Sequence, residues 1–311
     1  MALILERAKG KSVKVKDVEM KKALCVGINN YPGIFNDLKG CVNDANDWAN
    51  LLAFSGFQVE KMLDKQAKKQ NILNALDGLV TNAIPGDQIV FTYSGHGTTI
   101  ADKSGDEVDN YDEALYVHDG VLLDDELRAI LQKLNPEVHM VVISDSCFSG
   151  TVTRVSPMAT GLSEATAIPR YIKTDDIPAG AKLKKRFLAE EDMIEILMSG
   201  CSDSEYSYDA EIDGRWNGAM SAYALSVIRK GQTYNELYAL LRGILPSTEY
   251  PQTPQLEGSA ENKNGTIFAE NTEPLPPAEP EPEKDFWDWL SKYWWIIALA
   301  VIVGIILWRI F

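Results

Sequence analysis

The sequence predicts a layered α/β domain, with helices on both faces of a mostly parallel sheet, followed by an extended linker and a single membrane-spanning helix. Three observations predict it. Before residue 270, short apolar β-branched runs alternate with helical periodicities; a proline- and glutamate-rich stretch follows; and Tyr293–Ile310 is almost uniformly apolar. A chain of 311 residues that is 45% hydrophobic has enough apolar side chain to build a real core.

Strands are expected at Lys22–Ile28, Phe57–Leu63, Gln88–Tyr93, Val138–Ser144 and Met193–Met198, each short and nearly continuous in apolar character, as strands buried on both faces are. Helical periodicity covers Val42–Phe54, Lys68–Asn82, Asp124–Leu134, Ala219–Lys230 and Tyr234–Leu245. Strand and helix in alternation build parallel sheets, and in such sheets chemistry gathers at the carboxyl ends of strands.

Residues 270–285 hold six acidic residues against one lysine and little that can be buried, the composition of a solvated, extended linker. Tyr293–Ile310, apolar apart from Arg309, spans roughly 27 Å as a helix at about 1.5 Å per residue, close to a bilayer core. Trp294 and Trp295 at one end and Trp308 at the other stand where aromatic belts meet headgroups. The alternatives are a buried core helix or an interfacial one, but a core helix rarely follows such a linker, and no polar face exists for lying flat. The N-terminal apolar run Ala2–Leu5 is too brief for a secretory signal. A cytoplasmic domain tethered to a membrane by its C-terminal helix is therefore expected. Lys284, Lys292 and Arg309 are too few and too evenly split to set its orientation.

The net charge of -15 argues against non-specific nucleic-acid binding, which needs a basic face, and suits a cationic substrate or a divalent cation. Cys25, Cys41, Cys147 and Cys201 are widely spaced with no C-x-x-C pair, so neither a zinc site nor a disulfide framework is suggested, and free thiols are expected.

Two expected strands end in catalytic-type side chains. Gln88–Tyr93 runs into Ser94-Gly95-His96-Gly97, and Val138–Ser144 into Asp145-Ser146-Cys147-Phe148-Ser149-Gly150. Glycines beside His96 allow close approach of backbone and substrate, and small residues leave the Cys147 sulfur uncovered. If the strands are neighbours in a parallel sheet, their ends lie roughly 5 to 10 Å apart, so thiol and imidazole can meet. Such a pair can cleave an amide: the imidazole promotes the thiolate and then protonates the leaving amine, while the backbone N–H groups of Gly97 and Cys147 serve the oxyanion. The alternative makes Cys147 a small buried residue and His96 a turn histidine.

The Y-S-G-H-G and D-S-C-F-S-G motifs, with His96 and Cys147 51 positions apart, resemble the catalytic pair of caspase-like cysteine peptidases. The Q-A-C-x-G signature of animal caspases is absent, and the D-S-C-x-S-G form is similar to that of metacaspases, the C14 peptidases of this type, and their bacterial relatives. L-K-G-C-V-N-D-A (Leu38–Ala45), S-G-C-S-D (Ser199–Asp203), N-G-A-M-S (Asn217–Ser221) and Tyr234–Leu256, ending in P-Q-T-P-Q-L, fit the same family. The resemblance implies a caspase-like three-layer α/β/α sandwich over roughly residues 20–270, with a large part at 20–150, a basic inter-subunit linker at 151–190 and a small part at 191–269.

It further implies a specificity pocket lined by Asp44, Ser94 and Asp145. Two carboxylates in a partly desolvated pocket favour a guanidinium or ammonium group, so protein or peptide substrates with Arg or Lys before the scissile bond are expected. The alternative gives Asp44 a helix-capping role and Asp145 a turn role. No cofactor is required for the chemistry. Calcium is a candidate ligand: Asp112, Asp124 and Asp125 resemble the activating site of many metacaspases, although Thr151–Ser156 lacks the further carboxylate expected there, and Asp124 has capping as its alternative. Residues 151–190 lack a clear period and carry Arg154, Arg170, Lys173, Lys182, Lys184, Lys185 and Arg186, so a self-processing peptidase is expected to cut itself there. Arg- or Lys-directed peptide hydrolysis through an acyl-enzyme is the resulting expectation. Its rivals are a catalytically silent relative that binds peptides at the membrane and a non-peptidase adaptor assembling through its anchor, the latter weakened by the lack of a G-x-x-x-G seam.

Overall fold

The structure, a computed structural model, describes residues 19–33, 36–101, 111–147, 167–172, 193–202 and 205–268, the side chains of 99–101, 111 and 112 excepted. The elements follow in chain order: β1 (Lys21–Gly27), α1 (Cys41–Phe54), β2 (Gln58–Leu63), α2 (Lys69–Thr81), β3 (Gln88–Ser94), β4 (His96–Ala101), β5 (Tyr111–Val117), β6 (Gly120–Leu123), α3 (Asp124–Leu131) and β7 (His139–Asp145). Then come β8 (Ala167–Pro169), β9 (Ile196–Ser199), β10 (Tyr208–Ile212), β11 (Arg215–Gly218), α4 (Ala219–Val227), α5 (Tyr234–Arg242), β12 (Gln255–Glu257) and α6 (Ala260–Lys263).

The main sheet has six strands in the order β12-β9-β7-β3-β1-β2. All neighbours pair in parallel except β12, which runs antiparallel to β9 at one edge. Strands β9 and β12, from beyond residue 190, thus extend the sheet begun before residue 150. The strand period of two sorts side chains between the faces. Along β1, Ala23 and Cys25 join one apolar cluster with Trp48 and Leu52 of α1, Met220 of α4 and Leu237 of α5. Leu24 and Val26 join the other, with Ile72 and Leu76 of α2 and Ile130 of α3. Helices therefore cover both faces, as expected. Burying each large apolar side chain contributes roughly 1.5–3 kcal/mol.

The five expected strands and five expected helices are present. The last expected strand starts only at Ile196, three residues later than its apolar run suggests. Two small sheets were not expected: the antiparallel β4-β5-β6, and β11-β10-β8. The second corrects the reading of residues 151–190 as weakly structured throughout, because Ala167–Pro169 is a strand paired antiparallel to β10. Among the described residues no helix is long and apolar enough to cross a membrane; the expected linker (270–285) and span (293–310) lie outside them.

Candidate active site

The adjacent strands β3 and β7 end level with one another, Ser94 opposite Asp145, so His96 and Cys147 each stand two residues beyond the last paired position. The chain between is held tightly: a Cβ on Gly97 would collide with the backbone carbonyl of Cys147, and one on Gly95 with the hydroxyls of Tyr31 and Tyr93. Tyr31 Oη accepts the His96 amide at 2.9 Å, and Tyr93 Oη lies 2.8 Å from the His96 carbonyl. His96 Nε2 is 2.9 Å from the Asn36 carbonyl. A carbonyl only accepts, so Nε2 carries the proton and Nδ1 is bare. Nδ1 is buried with no hydrogen-bond partner. Burial, opposed by the Asn36 carbonyl and reinforced by the charge of Arg170, pushes the imidazole down to about 4, so it is neutral at pH 7.

Cys147 is fully buried. The amide of Ser207 donates to its Sγ at 2.6 Å, and Sγ lies 3.4 Å from the Ser207 carbonyl. Cys201 lies alongside, its Sγ 3.8 Å from the Ser146 carbonyl; the neighbouring Cys147 thiol and burial push the Cys201 thiol well above the usual range. All four cysteines are free and buried.

Beside this pair lies a buried acidic pocket, and it holds a side chain of the chain itself. Arg170 is 0% exposed. Its Nη2 donates to Asp44 Oδ2 at 2.6 Å and Asp209 Oδ1 at 2.9 Å; its Nη1 donates to the Asp145 carbonyl at 3.0 Å and stands 3.4 Å from Asp145 Oδ1. Burial disfavours the guanidinium charge, but the surrounding acidic groups outweigh it and raise the Arg170 pKa well above its ordinary value. Burial likewise pushes Asp44 up to about 6, against the pull of Arg170. Each carboxylate is anchored. Asp44 accepts from the Gly218 amide (2.9 and 3.0 Å) and Asn217 Nδ2 (2.9 Å), and Asp145 from Ser207 Oγ (2.5 Å) and the Ser221 amide (2.8 Å). Asp209 accepts from the Lys39 (2.7 Å) and Gly40 (3.0 Å) amides. A Cβ on Gly218 would overlap both Asp145 and the guanidinium, so only glycine leaves the pocket this shape.

The backbone of Arg170 completes the arrangement. Its carbonyl accepts from the amides of Gly97 (2.9 Å) and Cys147 (3.3 Å), and its own amide donates to the Ser207 carbonyl at 2.9 Å. The next residue but one returns the contact, the Ile172 amide donating to the Gly97 carbonyl at 3.0 Å. A peptide carbonyl lodged between two amides, one of them that of Cys147 itself, is the arrangement in which negative charge developing on that oxygen is stabilised.

Of the residues singled out in the sequence, Asp44 and Asp145 meet on one guanidinium, Gly97 and Cys147 on one carbonyl, and Ser94 is buried at the same sheet edge beside Asp145 in register. Asp44 lies inside α1, whose N-cap is Gly40, so it does not cap that helix. Of the acidic trio, Asp124 opens α3 after the N-cap Leu123 and pairs with Arg128 at 3.1 Å. The side chain of Asp112 lies outside the described residues. Among the described residues no group of three or more His, Cys, Asp or Glu side chains is placed to hold a metal ion. Asp209 and Ser207 were not anticipated, and Gly218 was quoted only as part of the N-G-A-M-S segment, with no role. Asp209 and Gly218 belong to the β10–β11 hairpin and Ser207 immediately precedes it, and these short strands carry no long apolar run.

The sequence profile of the metacaspase, peptidase C14 domain matches residues 21–156. The chain is 32% identical over 287 residues to metacaspase-1 of Scheffersomyces stipitis, covering 77% of this chain and 70% of that one. It is 35% identical over 289 residues to metacaspase-1A of Aspergillus clavatus, covering 77% and 66%. Among solved structures, a Geobacter sulfurreducens protein is similar with a TM-score of 0.64 and 28% identity, covering 80% of this chain and 98% of that one.

Proposed function

Because the chain belongs to the metacaspase family of C14 cysteine-type peptidases, we propose that it hydrolyses peptide bonds after Arg or Lys with Cys147 as nucleophile and His96 as proton carrier, and that its first substrate is its own Arg170–Tyr171 bond. The observation that carries this is the double capture of Arg170, its guanidinium among three carboxylates and its carbonyl between the Gly97 and Cys147 amides.

The steps follow from the atoms. Cys147 Sγ attacks the Arg170 carbonyl carbon while His96 Nδ1, neutral and unpartnered, takes the thiol proton. The Gly97 and Cys147 amides hold the resulting oxyanion. His96 then gives its proton to the Tyr171 nitrogen, the C–N bond breaks, and a thioester joins Arg170 to Cys147. Water, deprotonated by His96, releases the Arg170 carboxylate and restores the thiol. Until that cut, residues 167–172 fill the cleft and bury the sulfur, so the intact chain is a zymogen. Incubation of wild-type protein and Cys147→Ala, with the fragments read by mass spectrometry, tests this. A new C-terminus at Arg170 in the wild type alone is expected; an uncut wild-type chain would favour the rival reading, a silent peptide-binding relative with a permanent plug.

Two further elements rest on sequence. Calcium, if bound by Asp112, Asp124 and Asp125, would neutralise the start of α3, and Asp125→Ala should then abolish any calcium dependence of the cleavage. Residues 293–310 would anchor the domain, probed by whether alkaline carbonate releases the full chain from membranes.

A further inference from the structure

Resting on the reading above, we infer that Tyr31 is a positioning residue for the reaction: its hydroxyl, joined to that of Tyr93, holds the backbone of His96, and its ring holds the imidazole, so that Nδ1 is presented to the thiol. The sheet order brings these residues together. Strand β3, which leads into His96, lies between β7, which leads into Cys147, and β1, whose chain continues into Tyr31. Counted along the sheet, the histidine has its reaction partner on one side and Tyr31 on the other. The Ile28 amide donates to the Ser94 carbonyl at 3.1 Å, so the chains of β1 and β3 stay together beyond their last paired residues.

The hydrogen bonds close a circuit around one residue. The His96 amide can only donate, and gives its proton to Tyr31 Oη at 2.9 Å. The carbonyls of His96 and Tyr116 can only accept, and they share the proton of Tyr93 Oη, each at 2.8 Å. Tyr31 keeps its own proton for the bond between the two hydroxyls. Both tyrosines are buried, and both oxygens converge on Gly95, where a Cβ would lie 2.6 Å from each. Burial raises both phenols well above their ordinary range, so neither ionises at neutral pH. The Tyr31 ring lies 4.9 Å from the imidazole, centroid to centroid, tilted by 51°. With Nε2 bonded to the Asn36 carbonyl, the imidazole is restrained at its edge, on its face and through its backbone. Tyr31 is itself anchored from a distance. Its amide donates to Asp37 Oδ1 at 2.9 Å, and the two residues before it are tied to Asp64, whose carboxylate accepts from the amides of Asn29 (2.8 Å) and Asn30 (3.0 Å) and from Asn30 Nδ2 (2.8 Å). Asp64 does so at φ 47°, in the left-handed region. A reacting group about 1 Å out of place costs on the order of a hundredfold in rate. The grip on His96 therefore bears on kcat, whereas the carboxylates that hold Arg170 share none of these bonds.

The test is Tyr31→Phe, which keeps the ring and removes the hydroxyl. Self-cleavage of the full chain should slow about ten- to a hundredfold, and on a fluorogenic Arg peptide the processed chain should lose kcat with KM unchanged. A second readout is independent of turnover: nitrogen-15 NMR of the imidazoles of the full chain in a Cys147→Ala background, where only three histidines, His96, His118 and His139, contribute. With Tyr31 in place the His96 ring should be a single Nε2–H tautomer that titrates near 4. In Tyr31→Phe both tautomers should show, and the titration should move toward the ordinary value of about 6.5 as water reaches the ring. A role in stability alone would lower the thermal midpoint and move neither readout. A wild-type cleavage rate, or an unchanged His96 spectrum, in the variant would overturn the inference. An uncut wild-type chain would overturn the peptidase reading, and the spectra would then decide whether Tyr31 places the ring. Asp64→Gly is the second variant, since glycine adopts that φ without strain. With the anchor gone it should show the same two changes, several-fold in rate; should Tyr31→Phe fail to fold, unchanged readouts in Asp64→Gly would overturn the inference.

Discussion

Arg170 Nη2 lies 2.6 Å from Asp44 Oδ2, and both side chains are completely buried. Asp145 and Asp209 share the same guanidinium, so one cation answers three carboxylates drawn from α1, β7 and β10. The pocket is thus over-supplied with negative charge even when filled, and an empty pocket demands a cation.

The stability consequence is measurable in a Cys147→Ala background, where no cut intervenes. Arg170→Ala in that background strands the carboxylates and should cost about 3–5 kcal/mol, the usual penalty for removing one partner of a buried ion pair. The deficit should also depend on pH. Asp44 is already held up at about 6 with the guanidinium present, and losing the cation raises it further. A carboxylate whose folded pKa exceeds its unfolded value of about 3.9 carries a penalty absent below that value and in full force above the folded one. Urea denaturation should therefore find the loss small near pH 4 and largest above pH 7. A loss that is flat across this range counts against buried, unpaired carboxylates as its origin.

Self-cleavage should lose rate in two stages as the pH falls. Protonation of Asp44 near 6 removes one charge gripping Arg170, and protonation of His96 near 4 removes the acceptor for the thiol proton. Both groups act in their deprotonated forms, so activity is present above each pKa and declines through it. In Asp44→Asn the upper stage should vanish and the rate at pH 7 should fall, leaving only the lower stage. The check is a pH series of fragment appearance on gels; an upper stage that survives in the variant removes Asp44 from the account.

Much of this site was legible in the chain before folding. His96 and Cys147 stand out because each follows a strand whose apolar run is unmistakable, and the sheet order places those strands side by side. Asp44 and Asp145 were reached through their motifs. Arg170 was visible only as one of seven basic residues in a stretch without period. Nothing local marks Ala167–Pro169 as a strand, since its three residues gain their conformation from pairing with β10. Asp209 was hidden for the same reason: its role arises from contacts with residues 39, 40 and 170, all distant in sequence. Tyr31 and Tyr93 clasp the backbone of His96; Tyr31 lies outside every expected element, and Tyr93, though it opens the Y-S-G-H-G motif, was given no role of its own.

Gly218→Ala probes the pocket shape with a single methyl group. That methyl would meet Asp145 Oδ2 and the Arg170 guanidinium, so the basic side chain cannot seat fully and its carbonyl is displaced from the Gly97 and Cys147 amides. Misplacement of a reacting group by about 1 Å costs on the order of a hundredfold in rate. Self-cleavage should slow by about that factor while far-ultraviolet circular dichroism stays that of the wild type. Cleavage at the wild-type rate would show that the seat of the guanidinium does not govern the position of the carbonyl.

Gln252 offers a way to loosen the substrate strand's platform without touching the reacting groups. Its fully buried amide ties two backbones together, Nε2 donating to the Gly200 carbonyl at 2.8 Å and Oε1 accepting from the Tyr208 amide at 3.0 Å. Truncation to alanine leaves both backbone groups buried without their partner, at about 1–3 kcal/mol for each unsatisfied group. Gln252→Ala should therefore lower the thermal midpoint of a Cys147→Ala chain by several degrees, at about 2–4 °C per kcal/mol for a chain of this size. In the active chain it should raise KM for tetrapeptide substrates more than it lowers kcat, because β10 supplies the ladder on which they are bound while Cys147, His96 and the Gly97 amide stay in place. Gln252→Glu retains the acceptor for Tyr208 and loses the donor to Gly200, so it should recover much of the KM but little of the stability. If instead kcat collapses and KM is unmoved, β10 is acting on the position of Ser207 and the Cys147 sulfur rather than on the peptide.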